Sequence, residues 1–218
     1  MNARVDRLRE LLEEPLLVTS AVNVRYLIGF RSSNAALLVE RDDLRLFTDF
    51  RYAEGARAVG DVEVVETSRN LLADLGERLR GRIAFEADAV TYAGFEALRA
   101  HDLDVVPRWR LVERLRAVKD AEEIEAIRRA AAIADRAFER LASEPFVGRR
   151  ERELAWRMEQ LLREEGAEET SFPVVVATGP NGALPHTEPG DGVVEDGHAI
   201  VVDAGCTVTG YCSDCTRT

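Results

Sequence analysis

Residues from about 120 to 143 carry the pattern of one long amphipathic helix, which divides the sequence into two parts of different character. Asp120 is followed by Glu123 in a capping-box pattern, and apolar residues then recur every three or four positions. The predicted inward face consists of Ile124, Ile127, Ala131, Ala134, Phe138 and Leu141. A chain with such a helix in its middle must supply a core for the helix to cover.

A second amphipathic helix is predicted after a break at Pro145 and Gly148. It begins near Arg150 and ends at Gly166, which supplies a C-cap. Its expected inward residues are Leu154, Met158, Leu161 and Leu162. Beyond Gly166 the short apolar runs predict three strands, at Phe172–Ala177, Ala199–Val208 and Tyr211–Thr218.

Before the long helix, short apolar runs alternate with helical patterns. The strand candidates are Leu16–Val18, Ala35–Val39, Leu44–Phe47, Val62–Val65, Ile83–Phe85 and Val105–Val106. The helix candidates are Arg51–Val59, Leu71–Arg80 and Tyr92–Ala100. This alternation predicts an α/β domain over residues 1–117, followed by a second domain over 118–218.

Composition and charge exclude several classes of protein. With 46% hydrophobic and 32% charged residues the chain is not disordered, and a net charge of −11 argues against partners bound through phosphate, whether nucleic acid or an anionic membrane. The charged N-terminus has no apolar segment typical of a signal peptide, so we expect a cytoplasmic protein. The clustered cysteines Cys206, Cys212 and Cys215 predict buried or near-site thiols rather than a disulfide framework.

Two aspartates end the last two apolar runs. A turn centred between Val208 and Thr209 would make Asp203 and Asp214 direct cross-strand partners, with Cβ atoms about 4.5–5.5 Å apart. Carboxylates that close repel each other unless a proton or a cation is shared, which favours a metal site. The alternative left open is that one aspartate caps a turn and the other faces solvent.

His186 lies in a loop fixed by proline and glycine residues, directly before these strands. A histidine on a rigid loop can orient a substrate carbonyl or stabilise a developing oxyanion. The alternative is an ordinary surface histidine. His101 and His198 are predicted only as a surface residue and a strand-start residue.

Several motifs along the whole chain resemble those of the pita-bread metallopeptidases of creatinase/prolidase type, which include the Xaa-Pro aminopeptidases and Xaa-Pro dipeptidases. Residues 23–30 resemble their N-x-x-Y-L-x-G-F motif, and residues 46–52 resemble L-F-T-D-x-R-Y. Residues 115–128 resemble the start of the catalytic domain, and residues 168–186 resemble its substrate-loop region. The most specific matches are the D-x-G motif at 203–205 and G-Y-x-S-D-x-T-R-T at 210–218.

The resemblance implies a role for each candidate residue. Asp203 corresponds to the first metal-binding aspartate and Asp214 to the bridging aspartate of a site for two divalent ions, of Mn, Co or Zn. His186 corresponds to the histidine that contacts substrate near the scissile bond. The N-terminal domain would have a ribonuclease-H-like α/β fold and serve in oligomerisation, which implies a homodimer.

The resemblance also implies that further ligands are needed. The family completes its metal site with one His and two Glu that follow the T-R-T motif, and the three histidines of this chain all precede Asp203. We therefore expect the N-terminal domain plus about the first half of a pita-bread domain.

The predicted function is a metal-dependent exopeptidase that removes the residue before proline from a peptide or dipeptide, with little or no activity in the 218-residue chain alone. The rivals are a non-catalytic pseudo-peptidase, a dimerisation module, and a metal-free creatinase-like amidinohydrolase, which the two aspartates disfavour.

Overall fold

The computed structural model describes residues 2–218. The chain divides into two compact units, Met1–Val118 and Lys119–Thr218, which are described separately below. Among the described residues, no helix combines the length and the apolar character that crossing a bilayer requires.

The first unit is built on one six-stranded mixed sheet. Its strands are β1 (Leu16–Val18), β2 (Ala35–Val39), β3 (Leu44–Asp49), β4 (Glu63–Thr67), β5 (Gly81–Glu86) and β6 (Leu103–Arg108). The spatial order is β4-β3-β2-β1-β5-β6, and β2 runs antiparallel to both of its neighbours while the other pairs are parallel. Every predicted strand of this unit is present.

Helices cover both faces of this sheet. They are α1 (Ala3–Arg9), α2 (Ala21–Ile28), α3 (Ala53–Arg57), α4 (Leu71–Arg78), α5 (Tyr92–Arg99) and α6 (Leu111–Ala117). One apolar cluster joins α1, α2 and α6 to one face, and a second joins α4 and α5 to the other. This arrangement explains why β1 and β2 are almost uninterrupted apolar runs, since both of their faces are buried.

Helix α2, which the sequence analysis did not predict, depends on buried polar contacts. The Glu86 carboxylate accepts hydrogen bonds from the backbone N–H of Thr19 (2.6 Å) and Ser20 (2.7 Å), just before the helix begins. Asn23 is fully buried and donates to Glu86 and to Glu113, both at 2.6 Å. A carboxylate at the end of β5 therefore lies at the N-terminus of the helix, where its negative charge interacts favourably with the helix dipole.

Replacing Asn23 by alanine is expected to lower the free energy of unfolding of the first unit by about 2–3 kcal/mol. The change leaves the buried Glu86 carboxylate without one of its donors and the Arg116 guanidinium without the Asn23 side-chain oxygen it contacts at 2.9 Å. Urea denaturation measures the effect, with Asn70→Ala as the control because Asn70 is exposed and makes no side-chain cap. Equal free energies of unfolding for the two variants would contradict the stabilising role of the Asn23 contacts.

A second buried acid explains the D-x-R part of the motif at residues 46–52. Asp49 at the end of β3 is fully buried and bonds the Arg51 side chain at 2.7 and 2.8 Å and the Asn34 amide at 2.6 Å. The hydrogen bonds from Arg51, and then that from Asn34, hold the pKa of Asp49 well below its usual range. The D-x-R motif therefore has a structural role within the first unit.

The second unit begins with two long helices, α7 (Ala121–Ala142) and α8 (Glu151–Glu164). The predicted capping box at the start of α7 is confirmed: the backbone N–H groups of Asp120 and Glu123 each donate to the other residue's carboxylate, both at 2.9 Å. The four predicted inward residues of α8 are all completely buried, namely Leu154, Met158, Leu161 and Leu162.

The predicted inward face of α7 is partly wrong. Ile124 is 40% exposed and Ala131 is also exposed. Ala134 and Leu141 are buried as predicted, and Ile127 and Phe138 are half-buried. The buried apolar stripe also contains Ala126, Ala130, Ile133 and Ala137. Small alanine side chains let this face of the helix pack closely against the rest of the unit. The buried face is therefore not the one that carries the largest apolar residues.

Two three-stranded sheets complete the second unit. The strands are β7 (Glu169–Thr170), β8 (Val175–Thr178), β9 (Ile200–Ala204), β10 (Cys206–Val208), β11 (Tyr211–Cys212) and β12 (Cys215–Arg217), and a 3₁₀ helix spans Gly179–Ala183. One sheet has the order β11-β10-β7 and the other β12-β9-β8. The two long strands predicted after residue 198 are therefore each divided in two, at Gly205 and at Ser213–Asp214.

Candidate metal and substrate site

The hairpin that carries both candidate metal ligands has a two-residue turn. Thr209 and Gly210 both have positive φ, 49° and 89°, as a type I′ turn requires. Val208 therefore pairs with Tyr211, and the turn lies one residue later than predicted.

The prediction that Asp203 and Asp214 are direct cross-strand partners is consequently wrong. Asp203 pairs with Thr216 on one side and with Val175 on the other. The observed register places Asp214 diagonally across from Asp203, a spacing of about 7–8 Å in a regular ladder. Asp214 itself lies in the break between β11 and β12, one residue before the strand that pairs with β9.

Gly205, the glycine of the D-x-G motif, allows the two halves of the hairpin to meet. A Cβ atom at this position would lie 2.0 Å from the Ser213 carbonyl oxygen and 3.2 Å from the Asp214 Cα. No side chain fits at such a distance, so the backbone that carries Asp214 can pass here only over a glycine.

Ser213 closes the gap between the two strand pairs. Its N–H donates to the Cys206 carbonyl at 2.9 Å, and its side-chain oxygen accepts from the Cys206 N–H at 3.1 Å. The Ser213 carbonyl accepts a hydrogen bond from the Ser171 hydroxyl at 2.9 Å. The residue before Asp214 is thus buried and fixed from two directions.

Tyr211 connects the same hairpin to the start of α7. Its hydroxyl donates to the Glu123 carboxylate at 2.8 Å, and that carboxylate also receives the capping hydrogen bond from the Asp120 N–H. Glu123 is only 2% exposed, so this contact lies in the interior of the second unit. The G-Y-x-S-D motif therefore contains a tyrosine and a serine that hold the segment leading to Asp214.

The two aspartates have carboxylates available for ligation. Asp203 is half-buried and accepts one hydrogen bond from the Thr216 hydroxyl at 2.8 Å. Asp214 is exposed and has no hydrogen-bond or ion-pair partner among residues 2–218. Carboxylate oxygens suit Mn²⁺ and other hard divalent ions. Within the same residues, however, no group of three or more His, Cys, Asp or Glu side chains could hold a metal ion, so the pair fits only part of a site.

The three cysteines beside the aspartates are free thiols. Cys206 is completely buried and its thiol contacts the Ala130 carbonyl at 3.3 Å. Burial raises the pKa of Cys206, which keeps the thiol protonated. Cys212 is exposed and Cys215 is half-buried.

His186 lies in a turn of the segment between β8 and β9, and its side chain is exposed. It has no side-chain partner among the described residues. We call residues 179–190 the histidine loop. His198 lies at the base of this loop, where its ring packs against Gly179 and contacts the Thr178 hydroxyl at 3.3 Å.

Comparisons with known proteins identify this combination of units. Residues 4–118 match the creatinase/prolidase N-terminal domain, and residues 125–218 match metallopeptidase family M24. The chain belongs to the creatinase/prolidase family of M24 metallopeptidases.

Individual family members cover almost the whole chain. An uncharacterized peptidase of Bacillus subtilis (strain 168) is 34% identical over 226 residues, which are 99% of this chain and 64% of that protein. An Xaa-Pro dipeptidase structure from Bacillus anthracis superposes with a TM-score of 0.91 at 32% identity, over 98% of this chain and 63% of that one. An X-Pro aminopeptidase structure from Thermotoga maritima MSB8 gives a TM-score of 0.86 at 32% identity, with coverages of 98% and 64%.

These matches confirm the predicted fold class, an α/β N-terminal domain of creatinase type followed by part of a pita-bread domain. The chain spans less than two thirds of the length of the M24 relatives described above.

The sequence did not predict the two buried glutamates, Glu123 and Glu151, that bond to the hairpin with Asp214 and to the histidine loop. Glu123 was assigned only to a helix cap, and its bond to Tyr211 joins positions far apart in sequence. Glu151, described below, was assigned no role. A glutamate at the first position of an amphipathic helix is ordinary, so nothing in the local pattern distinguishes this one.

Proposed function

We propose that the protein to which this chain belongs is a metal-dependent exopeptidase that cleaves the bond before proline. The observation that supports this most directly is the pair Asp203 and Asp214 on the two arms of one hairpin, in a chain of the M24 family. The named relatives include both a dipeptidase and an aminopeptidase, so the substrate class is a dipeptide or longer peptide with proline in second position.

Each candidate residue has a role in this proposal. Asp203 and Asp214 hold divalent metal, which when bound acts as a Lewis acid and lowers the pKa of a water molecule. Asp203 is oriented for this by Thr216, and Asp214 by the fixed backbone of Ser213. His186, on its exposed loop, contacts the substrate and stabilises the negative charge that develops on the carbonyl oxygen. One further His and two further Glu are needed for the ligand set, because among residues 2–218 no group of three or more possible ligands is found.

The domain arrangement and setting form part of the same proposal. Residues 1–117 form the creatinase-type domain that mediates homodimerisation, and residues 118–218 carry the chemistry. The protein works in the cytoplasm, with two ions of Mn, Co or Zn. A second candidate is a non-catalytic peptide-binding or dimerisation module of the same fold.

Hydrolysis of Xaa-Pro dipeptides and tripeptides, with Mn²⁺ or Co²⁺ added after dialysis, distinguishes these candidates. The 218-residue chain and the full product of its gene are measured side by side. We expect turnover by the full product and little or none by the 218-residue chain. No turnover by the full product would refute the peptidase, and turnover by the shorter chain would refute the need for further ligands.

A further inference from the structure

Glu151, at the start of α8, is a completely buried acid whose side chain, among residues 2–218, accepts hydrogen bonds only from the histidine loop and from Thr178 directly before it. Its Oε1 accepts hydrogen bonds from the Thr178 N–H at 2.8 Å and from the Asn181 side-chain amide at 3.0 Å. Its Oε2 accepts from the Gly190 N–H at 3.0 Å. These donors lie at the two ends of the histidine loop.

The carboxylate is ionised in this environment. Burial opposes the charged form, but the hydrogen bonds from Thr178, Asn181 and Gly190 outweigh it and hold the pKa of Glu151 below its ordinary value. Within residues 2–218 no basic side chain forms an ion pair with Glu151. A buried charge without an ion pair is costly, so its hydrogen bonds are the interactions that keep it there.

The backbone around Glu151 reinforces the same contact. The Glu151 N–H donates to the Gly192 carbonyl at 3.0 Å, and the Arg152 N–H donates to the Gly190 carbonyl at 3.2 Å. A Cβ atom on Gly192 would lie 2.9 Å from the Glu151 carboxyl carbon. The chain that leaves the histidine loop therefore packs directly on the carboxylate.

Helix capping does not account for this residue. An acid in the first turn normally stabilises the free N–H groups of its own helix. Glu151 accepts from none of these, whereas Glu153, in the same turn, accepts from the Arg150 N–H at 3.1 Å and makes the cap. The donors to Glu151 come from a segment at least 27 positions further along the chain.

We propose that Glu151 is a positioning residue, which fixes both ends of the histidine loop and thereby sets where the His186 imidazole meets the substrate. The first half, that Glu151 fixes the loop, concerns this chain by itself. The second half, that the loop sets where His186 meets the substrate, rests on the proposed function. His186 has no partner of its own among the described residues, so its position depends on the loop that carries it.

Hydrogen exchange on the 218-residue chain tests the first half. In Glu151→Gln the carboxylate is replaced by a neutral group of the same shape, and we expect the amides of Thr178 and Gly190 to exchange about tenfold faster. Buried amides of α7 and of the middle of α8 should keep their protection. The control is Glu153→Gln, which removes an equal charge from the same helix turn and should leave both loop amides unchanged.

The chain has three histidines, so its imidazole NMR signals report on the loop separately from stability. Single His→Gln variants assign them. We expect the His186 signal to shift in Glu151→Gln while that of His101 stays fixed. Asn181→Ala, at a less buried position, removes one donor only and should shift His186 while Gly190 keeps its protection.

Two results would overturn the proposal. One is unchanged exchange and an unchanged His186 signal in Glu151→Gln. The other is an equal loss of protection across the second unit, which would mean a purely structural role. If Glu151→Gln does not fold, Asn181→Ala tests the proposal in its place. A shifted His186 signal in that variant would support the proposal, and an unchanged signal would contradict it.

Kinetics of the full gene product test the second half. Glu151→Gln should lower kcat for Xaa-Pro hydrolysis about tenfold or more with little change in KM, because His186 acts mainly on the negative charge of the carbonyl oxygen, which develops only in the transition state. A rise in KM alone would contradict this. Absence of activity in the unsubstituted protein would refute the proposed function and leave the exchange and NMR results standing.

Discussion

Asp203→Asn or Asp214→Asn is expected to lower the rate of Xaa-Pro hydrolysis by the full gene product by about 10³-fold or more. Either change removes a charged oxygen ligand while keeping the shape of the side chain. Losing several kcal/mol of metal-supplied stabilisation of the transition state corresponds to a rate loss of this size. Bound metal after dialysis, measured by elemental analysis, should fall in both variants.

The control for these variants is Asp196→Asn, which neutralises an exposed aspartate of the same unit that has no partner among residues 2–218. It should keep full metal content and activity. Circular dichroism should show that all three variants fold, because Asp203 and Asp214 are not buried. Full metal content and full activity in the Asp214→Asn protein would remove Asp214 from the proposed site.

Alanine at position 205 is expected to destabilise the second unit by about 3 kcal/mol or more. The new methyl group would overlap the Ser213 carbonyl oxygen, 2.0 Å away, and the neighbouring backbone belongs to the hairpin and cannot rotate aside. Such overpacking typically costs about 1–3 kcal/mol, and a clash with backbone lies at the upper end. Urea denaturation gives the change, and hydrogen exchange assigns it to residues 119–218.

Gly182→Ala is the matched control, because its Cβ would sit 3.6 Å from the nearest atom, a Val201 methyl, at ordinary contact distance. We expect its stability to lie within about 0.5 kcal/mol of the unsubstituted chain. If Gly205→Ala were equally stable, the close crossing of the two strand segments would be wrong.

The strands of the first unit could be predicted because local and tertiary preferences agree there. Leu16–Val18 and Ala35–Val39 are apolar throughout and are buried on both faces, so the sequence pattern and the observed bounds coincide. Helix α2 was missed because its residues include valine, tyrosine and asparagine, and its stability comes from the distant acids Glu86 and Glu113.

The sequence pattern singled out candidate site residues, but it did not predict their geometry. The positions of Asp203 and Asp214 at strand ends pointed to them, but the register depended on the turn. The predicted register assumed that the two aspartates face each other, whereas the turn forms one residue later, at Thr209 and Gly210, which both adopt the positive φ that a type I′ turn requires. A shift that small converts a facing pair into a diagonal one.

The bond between Tyr211 and Glu123 also bears on the order in which the second unit forms. It joins residues 88 positions apart, and closing a loop of that length costs about 4 kcal/mol of chain entropy before any contact compensates for it. Helix α7 emerges first during synthesis and can form its cap locally. The hairpin with Asp214 must then dock onto a helix that has already formed, so the segment that carries Asp214 is expected to be among the last parts of this unit to become ordered.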